Sequence, residues 1–105
     1  MFVCYTSFNK VKSARSFAAE LVNEKLAACV QVVPKVMSVY LWDGGVQEDE
    51  EVLLIIKTSD DRVEELAEYI EKHHPYELPE FVAVEASDGS ERYLDWVDEV
   101  TLAEE

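Results

Sequence analysis

The stretch that most constrains this chain runs from Cys29 to Thr58. Its first half reads Cys29-Val-Gln-Val-Val-Pro-Lys-Val-Met-Ser-Val-Tyr-Leu-Trp42, and its second runs from Val46 through Glu48-Asp49-Glu50-Glu51 to Val52-Leu-Leu-Ile-Ile-Lys-Thr58. Between them stands Asp43-Gly44-Gly45. Two adjacent glycines accept a positive φ without a Cβ clash, so the whole stretch is predicted to be one β-hairpin. Arms of about 12–14 residues at about 3.3 Å each reach about 40–45 Å. A helix of about 15 residues spans only about 22 Å. About half of the hairpin should therefore run past any body that helices can cover. That half carries Val39, Tyr40, Leu41 and Trp42. A lone two-stranded ribbon is marginal in water, so the tip is expected to pack on another chain.

The remaining segments fall into place around it. Phe2 to Thr6 reads as a first strand, followed by a Ser7-Phe8-Asn9 connection with two capping candidates. Ala14, Phe17, Ala18, Leu21 and Val22 recur at helical spacing and predict an amphipathic helix over roughly Lys10 to Lys25. Leu26-Ala27-Ala28 leads without a breaker into the hairpin, where Pro34 cannot donate a ladder hydrogen bond and predicts a bulge. Ser59-Asp60-Asp61 is expected to cap a second helix with a buried stripe of Val63, Leu66, Ala67 and Ile70. That helix must stop near His73, because Pro75 pushes the residue before it out of the α region. An extended connection with two prolines then leads to a fourth strand at Phe81 to Glu85. Asp88-Gly89-Ser90 reads as turn and cap, and Tyr93, Trp96, Val97 and Val100 mark a short third helix. Fraying is expected from Leu102 to Glu105.

The order βαββαβ plus a helix predicts a single α+β domain over residues 1–105, the ferredoxin-like sandwich with both main helices on one sheet face. The other face then poses a problem. A sheet with one wet side should alternate apolar and polar residues. Val52-Leu53-Leu54-Ile55-Ile56, Val32-Val33 and Phe81-Val82-Ala83-Val84 do not alternate. At about 25 cal/mol per Å², leaving several such side chains wet would forfeit several kcal/mol, comparable to a domain's whole stability. Self-association through the sheet is the economical expectation.

Charge narrows the partners. A formal net charge of −14 argues against nucleic acid and against an anionic membrane surface. Strand-like residues from Phe2 onward leave no signal-peptide pattern, and no uncharged apolar run approaches membrane-spanning length. The two cysteines, Cys4 and Cys29, do not make a disulfide scaffold. A soluble, cytoplasmic setting is the expectation.

Few residues carry chemistry. His73 and His74 are adjacent and so should diverge in direction. Either they lie at a helix C-terminus, where imidazolium suits the dipole, or one joins Glu77, Glu80 or a cysteine in a metal site. The spacings of zinc motifs do not occur. Glu48-Asp49-Glu50-Glu51 lacks the ligand alternation of a calcium loop and reads as a solvated edge. Tyr40, Trp42, Tyr76, Tyr93 and Trp96 suit core and interface positions or a pocket wall. With three glycines, no phosphate loop and no evident triad, an enzyme is not expected.

Five ordered stretches then carry a resemblance. Leu26-Ala-Ala-Cys-Val30, Tyr40-Leu-Trp-Asp-Gly44, Glu51-Val52 through Lys57-Thr58, His74-Pro-Tyr-Glu-Leu-Pro-Glu80 and Tyr93-Leu-Asp-Trp96 resemble the CutA divalent-cation tolerance proteins, over Val3 to about Val97. The departures are Ser7-Phe8-Asn9, where an Ala-Pro-Asp-like turn is usual, and Lys35, where glycine is frequent. The resemblance implies a ferredoxin-like subunit in a tight homotrimer, similar in architecture to the PII signalling proteins, with sheets facing inward. It implies a non-enzymatic role in tolerance of divalent metals, with weak binding of copper(II) or another divalent cation. Only Cys29 and His74 match the cysteine and histidine positions through which some members bind copper. Cys4 lies one residue out of step with another such position, which would turn it to the opposite face. A second implied reading is a PII-like module whose clefts between subunits hold a small ligand near Tyr40, Trp42, Lys57, Tyr76 and Glu77. A third is a stable scaffold for the assembly of other proteins.

Overall fold

A computed structural model of the chain describes residues 1–103. The order is β1 (Phe2–Phe8), α1 (Val11–Asn23), β2 (Cys29–Trp42), β3 (Gly45–Thr58), α2 (Val63–His73), β4 (Val82–Glu85) and α3 (Glu91–Val100). The four strands form one antiparallel sheet in the order β2-β3-β1-β4. This is the βαββαβ arrangement expected, with a third helix appended. Leu102 lies beyond α3 and is 62% exposed; the part of the fraying expectation that falls on Glu104 and Glu105 lies outside the described residues.

The sheet's two faces differ sharply. Cys4, Thr6, Phe8, Val52, Leu54, Ile56 and Thr58 are all buried and turned to one side. There they meet Ala14, Phe17 and Leu21 of α1 and Leu66 and Ile70 of α2. Along β3 these alternate with Leu53, Ile55 and Lys57, which are only partly covered and share the helix-free face with Val3, Tyr5, Cys29, Gln31 and Val33. On β4, Val82 and Val84 are half exposed. The unbroken apolar run at Val52–Ile56 thus serves two faces, one covered by helices and one not.

Beyond Val52 the sheet narrows. Phe8 pairs with Val52 as the last rung of β1, and past it β3 has only β2 beside it. Two β2 residues, Pro34 and Lys35, stand there between the Val33–Leu53 and Val36–Glu51 rungs. This is the expected bulge, and Lys35 takes φ 62° to make it. Each hairpin arm is 14 residues long, and the molecule's longest dimension is 45 Å. The tip turns through Asp43 at φ 53° and Gly44 at φ 80°, and a side chain at Gly44 would meet nothing but would strain the backbone. Glu48–Glu51 lie in the free-edged half of β3; Glu48 and Glu50 are exposed there as a solvated edge, whereas Asp49 and Glu51 accept tyrosine hydroxyls.

Three local expectations are corrected. Ser7 and Phe8 belong to β1, not to a loop, because Phe8 fills the core and the two residues pair with Leu53 and Val52. The capping roles of the Ser7-Phe8-Asn9 and Ser59-Asp60-Asp61 segments do not materialise: α1 begins after Lys10 and α2 after Arg62, neither with a side-chain cap. Ser59 instead offers its carbonyl to Arg62 and Val63, Asp60 pairs with the Met1 amine at 2.7 Å, and the Ser59 hydroxyl accepts from Thr101. The α1 terminus that looked unbroken is a Schellman turn with Lys25 at φ 59° in place of glycine. There the Leu26 N–H bonds the Leu21 carbonyl and the Lys25 N–H bonds that of Val22. Arg62 completes it, donating from Nε to the Lys25 carbonyl and from Nη2 to that of Glu24. The cap of α3 is as expected, with Ser90 Oγ accepting from the Tyr93 N–H.

Candidate functional site

His74 is the residue that follows α2, turned out of the helix at ψ 139° ahead of Pro75. His73, one position earlier, stays exposed and stacks on Tyr69 at 4.2 Å. The pair diverges, as adjacent residues must. His74 is buried, with its ring 4.4 Å from that of Phe8 and 4.7 Å from that of Tyr76. Its Nδ1 accepts the Tyr76 N–H at 3.1 Å, and its Nε2 lies 2.7 Å from the Ser7 carbonyl. A ring nitrogen that accepts an N–H carries no proton, so the proton is on Nε2 and is donated to Ser7. Burial lowers the imidazole's pKa, against the opposing pull of the Ser7 carbonyl and the Glu51 charge.

Next to this ring is a group of two tyrosines and two carboxylates. The Tyr76 hydroxyl donates to Glu51 at 2.9 Å, and the Tyr40 hydroxyl donates to Asp49. Asp49 and Glu51 are two apart on β3 and so share a face. Tyr40 pairs with Gln47 and reaches Asp49 diagonally across the hairpin. The Tyr76 phenol is raised by burial first, then by the bond and charge of Glu51 and the charges of Tyr40 and Asp49. The Tyr40 phenol is raised chiefly by its bond to Asp49. Both phenols are therefore held protonated as donors. The sequence singled out the tyrosines but read their acceptors as surface charge; the signal lay in the hairpin register, which brings position 40 diagonal to 49.

Cys29 sits elsewhere. It pairs with Lys57 on the face turned away from α1 and α2, partly covered, and lies near Tyr93 of α3, whose phenol is raised chiefly by burial. Lys57 donates to Gln31 at 2.7 Å. Cys4 points the other way, into the core, and burial pushes its thiol up to about 11. Lys57 and Cys29 stand level with Val3 on β1, whereas His74 stands at Ser7. Four residues along the strand separate the two rows by about 13 Å, before the lateral distance across two strands is added.

One chain therefore does not bring Cys29 and His74 together, and His74 has no lone pair to spare. Among the described residues no group of three or more His, Cys, Asp and Glu side chains is placed to hold a metal. Of the expected cleft residues, Tyr40 and Tyr76 meet through Asp49 and Glu51, while Lys57 lies with Cys29. Trp42 is at the exposed hairpin tip and Glu77 is exposed on the connection. A shallow concavity of about 300 Å³ lies on the helical side instead, lined by Leu26, Arg62, Tyr69 and His73 among others. No helix among the described residues is long and apolar enough to cross a membrane.

Known proteins share this chain's sequence and shape. The model of the family described as CutA1 divalent ion tolerance protein matches residues 2–100. A divalent-cation tolerance protein CutA from Thermus thermophilus is 47% identical over 88 residues, covering 84% of this chain and 85% of the relative. A chloroplastic CutA of Arabidopsis thaliana is 43% identical over 95 residues, covering 90% of this chain but only 52% of the relative. The chain thus spans about half the length of that plant protein. The crystal structure of CutA1 from Pyrococcus horikoshii superposes with a TM-score of 0.92 at 36% identity, covering 98% of this chain and all of that one. With the five sequence stretches and the sheet order in agreement, this chain belongs to the CutA1 divalent ion tolerance family.

Proposed function

We propose that the protein works as a homotrimer in divalent-cation tolerance, without catalysing a reaction, and that it associates weakly with copper(II). The observation that carries the oligomer is the narrowing of the sheet at Val52, past which the hairpin bears Met37, Val39, Leu41, Trp42 and Val46 with 47–74% of their surface exposed. Copies of the same hairpin and of the same helix-free face are the natural cover for one another. The non-enzymatic reading draws support from the polar groups themselves. Tyr40 and Tyr76 are spent on carboxylates and His74 on backbone groups. Cys29, a free and partly exposed thiol, is the soft donor through which copper would associate, and it suits a reducing compartment such as the cytoplasm.

Light scattering tests the assembly. A mass near three times the 12.0 kDa chain is expected, and a stable single-chain mass at micromolar dilution overturns it. A copper(II) titration of the wild type and Cys29→Ser tests the cation reading. Weaker binding in the variant supports it, and equal binding removes Cys29.

A second reading, a PII-like module with a ligand between subunits, is favoured by the Tyr40–Asp49 and Tyr76–Glu51 pairs on the projecting half of the hairpin. It expects a ligand-induced thermal shift that Tyr76→Phe abolishes.

A further inference from the structure

The family resemblance points to His74 as a metal donor, and the geometry of this chain disagrees. We infer that His74 is a positioning residue that ties the core to the projecting hairpin through Tyr76, and that it supplies no ligand to a cation.

The imidazole's lone pair decides this. A neutral imidazole has one unprotonated nitrogen, and only that nitrogen can bind a metal. A metal-bound histidine commonly donates its other ring N–H to a carbonyl, and the Nε2 bond to Ser7 at 2.7 Å has that form. In such a centre Nδ1 would be open to the ion. Here it accepts the Tyr76 N–H at 3.1 Å. Access is closed as well, because the side chain is 8% exposed and its ring is flanked by Phe8, Phe17 and Tyr76. Turning either nitrogen to an ion would leave the Tyr76 N–H or the Ser7 carbonyl without its partner in a buried place.

The same bonds form a continuous link. Ser7 lies one residue before the end of β1; His74 holds its carbonyl and the Tyr76 N–H; Tyr76 reaches Glu51 at 2.9 Å. Glu51 is the first β3 residue beyond the last rung of β1. The ring therefore spans the place where the sheet loses its third strand, and the connection it braces is stiffened by Pro75. The link needs one donor and one acceptor at position 74, not a metal.

The test uses the full chain, stripped of metal with a chelator. Nitrogen-15 spectra of its histidines should show His74 as the Nε2–H tautomer. Diamagnetic zinc sulfate added to an equimolar amount should leave its ring signals in place. His74→Phe fills the ring's volume without either bond and should speed hydrogen exchange at Tyr76 and along Val36–Glu51 by about tenfold. His74→Gln, with one amide donor and one carbonyl acceptor, should restore part of that protection and keep copper affinity within about twofold of the wild type. An Nδ1–H tautomer overturns the inference. So does a zinc-induced shift of the His74 ring nitrogens, or a tenfold loss of copper affinity in His74→Gln with hairpin protection intact. Should His74→Phe fail to fold, the wild-type spectra and the Gln variant still decide.

Discussion

The two halves of the hairpin's first arm are built from similar residues and meet different surroundings. Below the Pro34–Lys35 bulge, Leu54 and Ile56 of β3 are fully buried, and Val30 and Val32 of β2 pack against the core. Above it, Val39 is 60% exposed and Leu41 and Val46 are 74% exposed. Along the first arm apolar content does not separate the halves, since Val36–Trp42 is as apolar as Cys29–Val33; on the second arm the acids Glu48–Glu51 mark the projecting half. What separates them is whether a third strand and a helix lie alongside. Burial is thus a property of the neighbourhood, and an exposed apolar half-hairpin states a need for cover that one chain does not meet.

That contrast can be broken most directly by truncating one residue in each half. Leu54→Ala removes a fully buried side chain and should cost about 2–5 kcal/mol in urea unfolding, whereas Leu41→Ala should cost about 0.5 kcal/mol or less where the chain stands alone. Equal losses would mean that another copy covers the hairpin tip as tightly as the helices cover the base. Arg62 tests the body's own seams. It is 9% exposed and joins α2 to the last carbonyls of α1, with Glu65 at 2.8 Å on its remaining arm. Arg62→Ala should lose about 1–3 kcal/mol by leaving those carbonyls unpaired, with little change at the hairpin tip.

A smaller effect sharpens the junction between the halves. Burial holds the folded His74 pKa below its ordinary value of 6.5, so the unfolded chain binds its proton first as pH falls. The stability this residue contributes is full above about pH 6.5 and declines as pH drops below that value toward the folded pKa. The hairpin's exchange protection should weaken in the same window, and His74→Gln should flatten the decline. A wild type and variant with parallel pH profiles would show that the junction does not depend on this ring. The smallest expected change is a gain. Lys25 holds a left-handed conformation at φ 59° that glycine adopts without strain. Lys25→Gly should stabilise the body by at most about 0.5 kcal/mol, net of the glycine's greater freedom when unfolded and of the interaction the lysine side chain gives up, as read from the thermal midpoint.

Much of the architecture was legible because it follows from local patterns. Continuous apolar runs between turn signals placed the strands, and period-3.6 apolar spacing the helices, within a few residues. Asp43-Gly44-Gly45 placed the hairpin turn, and Pro34 its bulge. The capping of α1 and α2 was misread because it is long-range. Arg62 closes the end of α1 from more than thirty positions away, and Asp60 serves the chain's amino end instead of α2. The candidate site divides the same way. Tyr40, Tyr76, Cys29 and His74 were visible as residue types, but apart from the Tyr76 N–H, two residues after His74, their partners are not neighbours in sequence. Tyr76 meets Glu51 across 25 positions, and His74 meets Ser7 across 67.

The sequence by itself determined the elements, their order, the family, and the surplus of apolar strand surface, since these depend on side-chain spacing and on motifs that are local. Only the tertiary structure decided that Cys29 and His74 lie apart and that the His74 lone pair is already committed. A hydrogen bond between segments far apart in the chain depends on strand register and on which face a side chain takes, and neither is carried by the residue's identity.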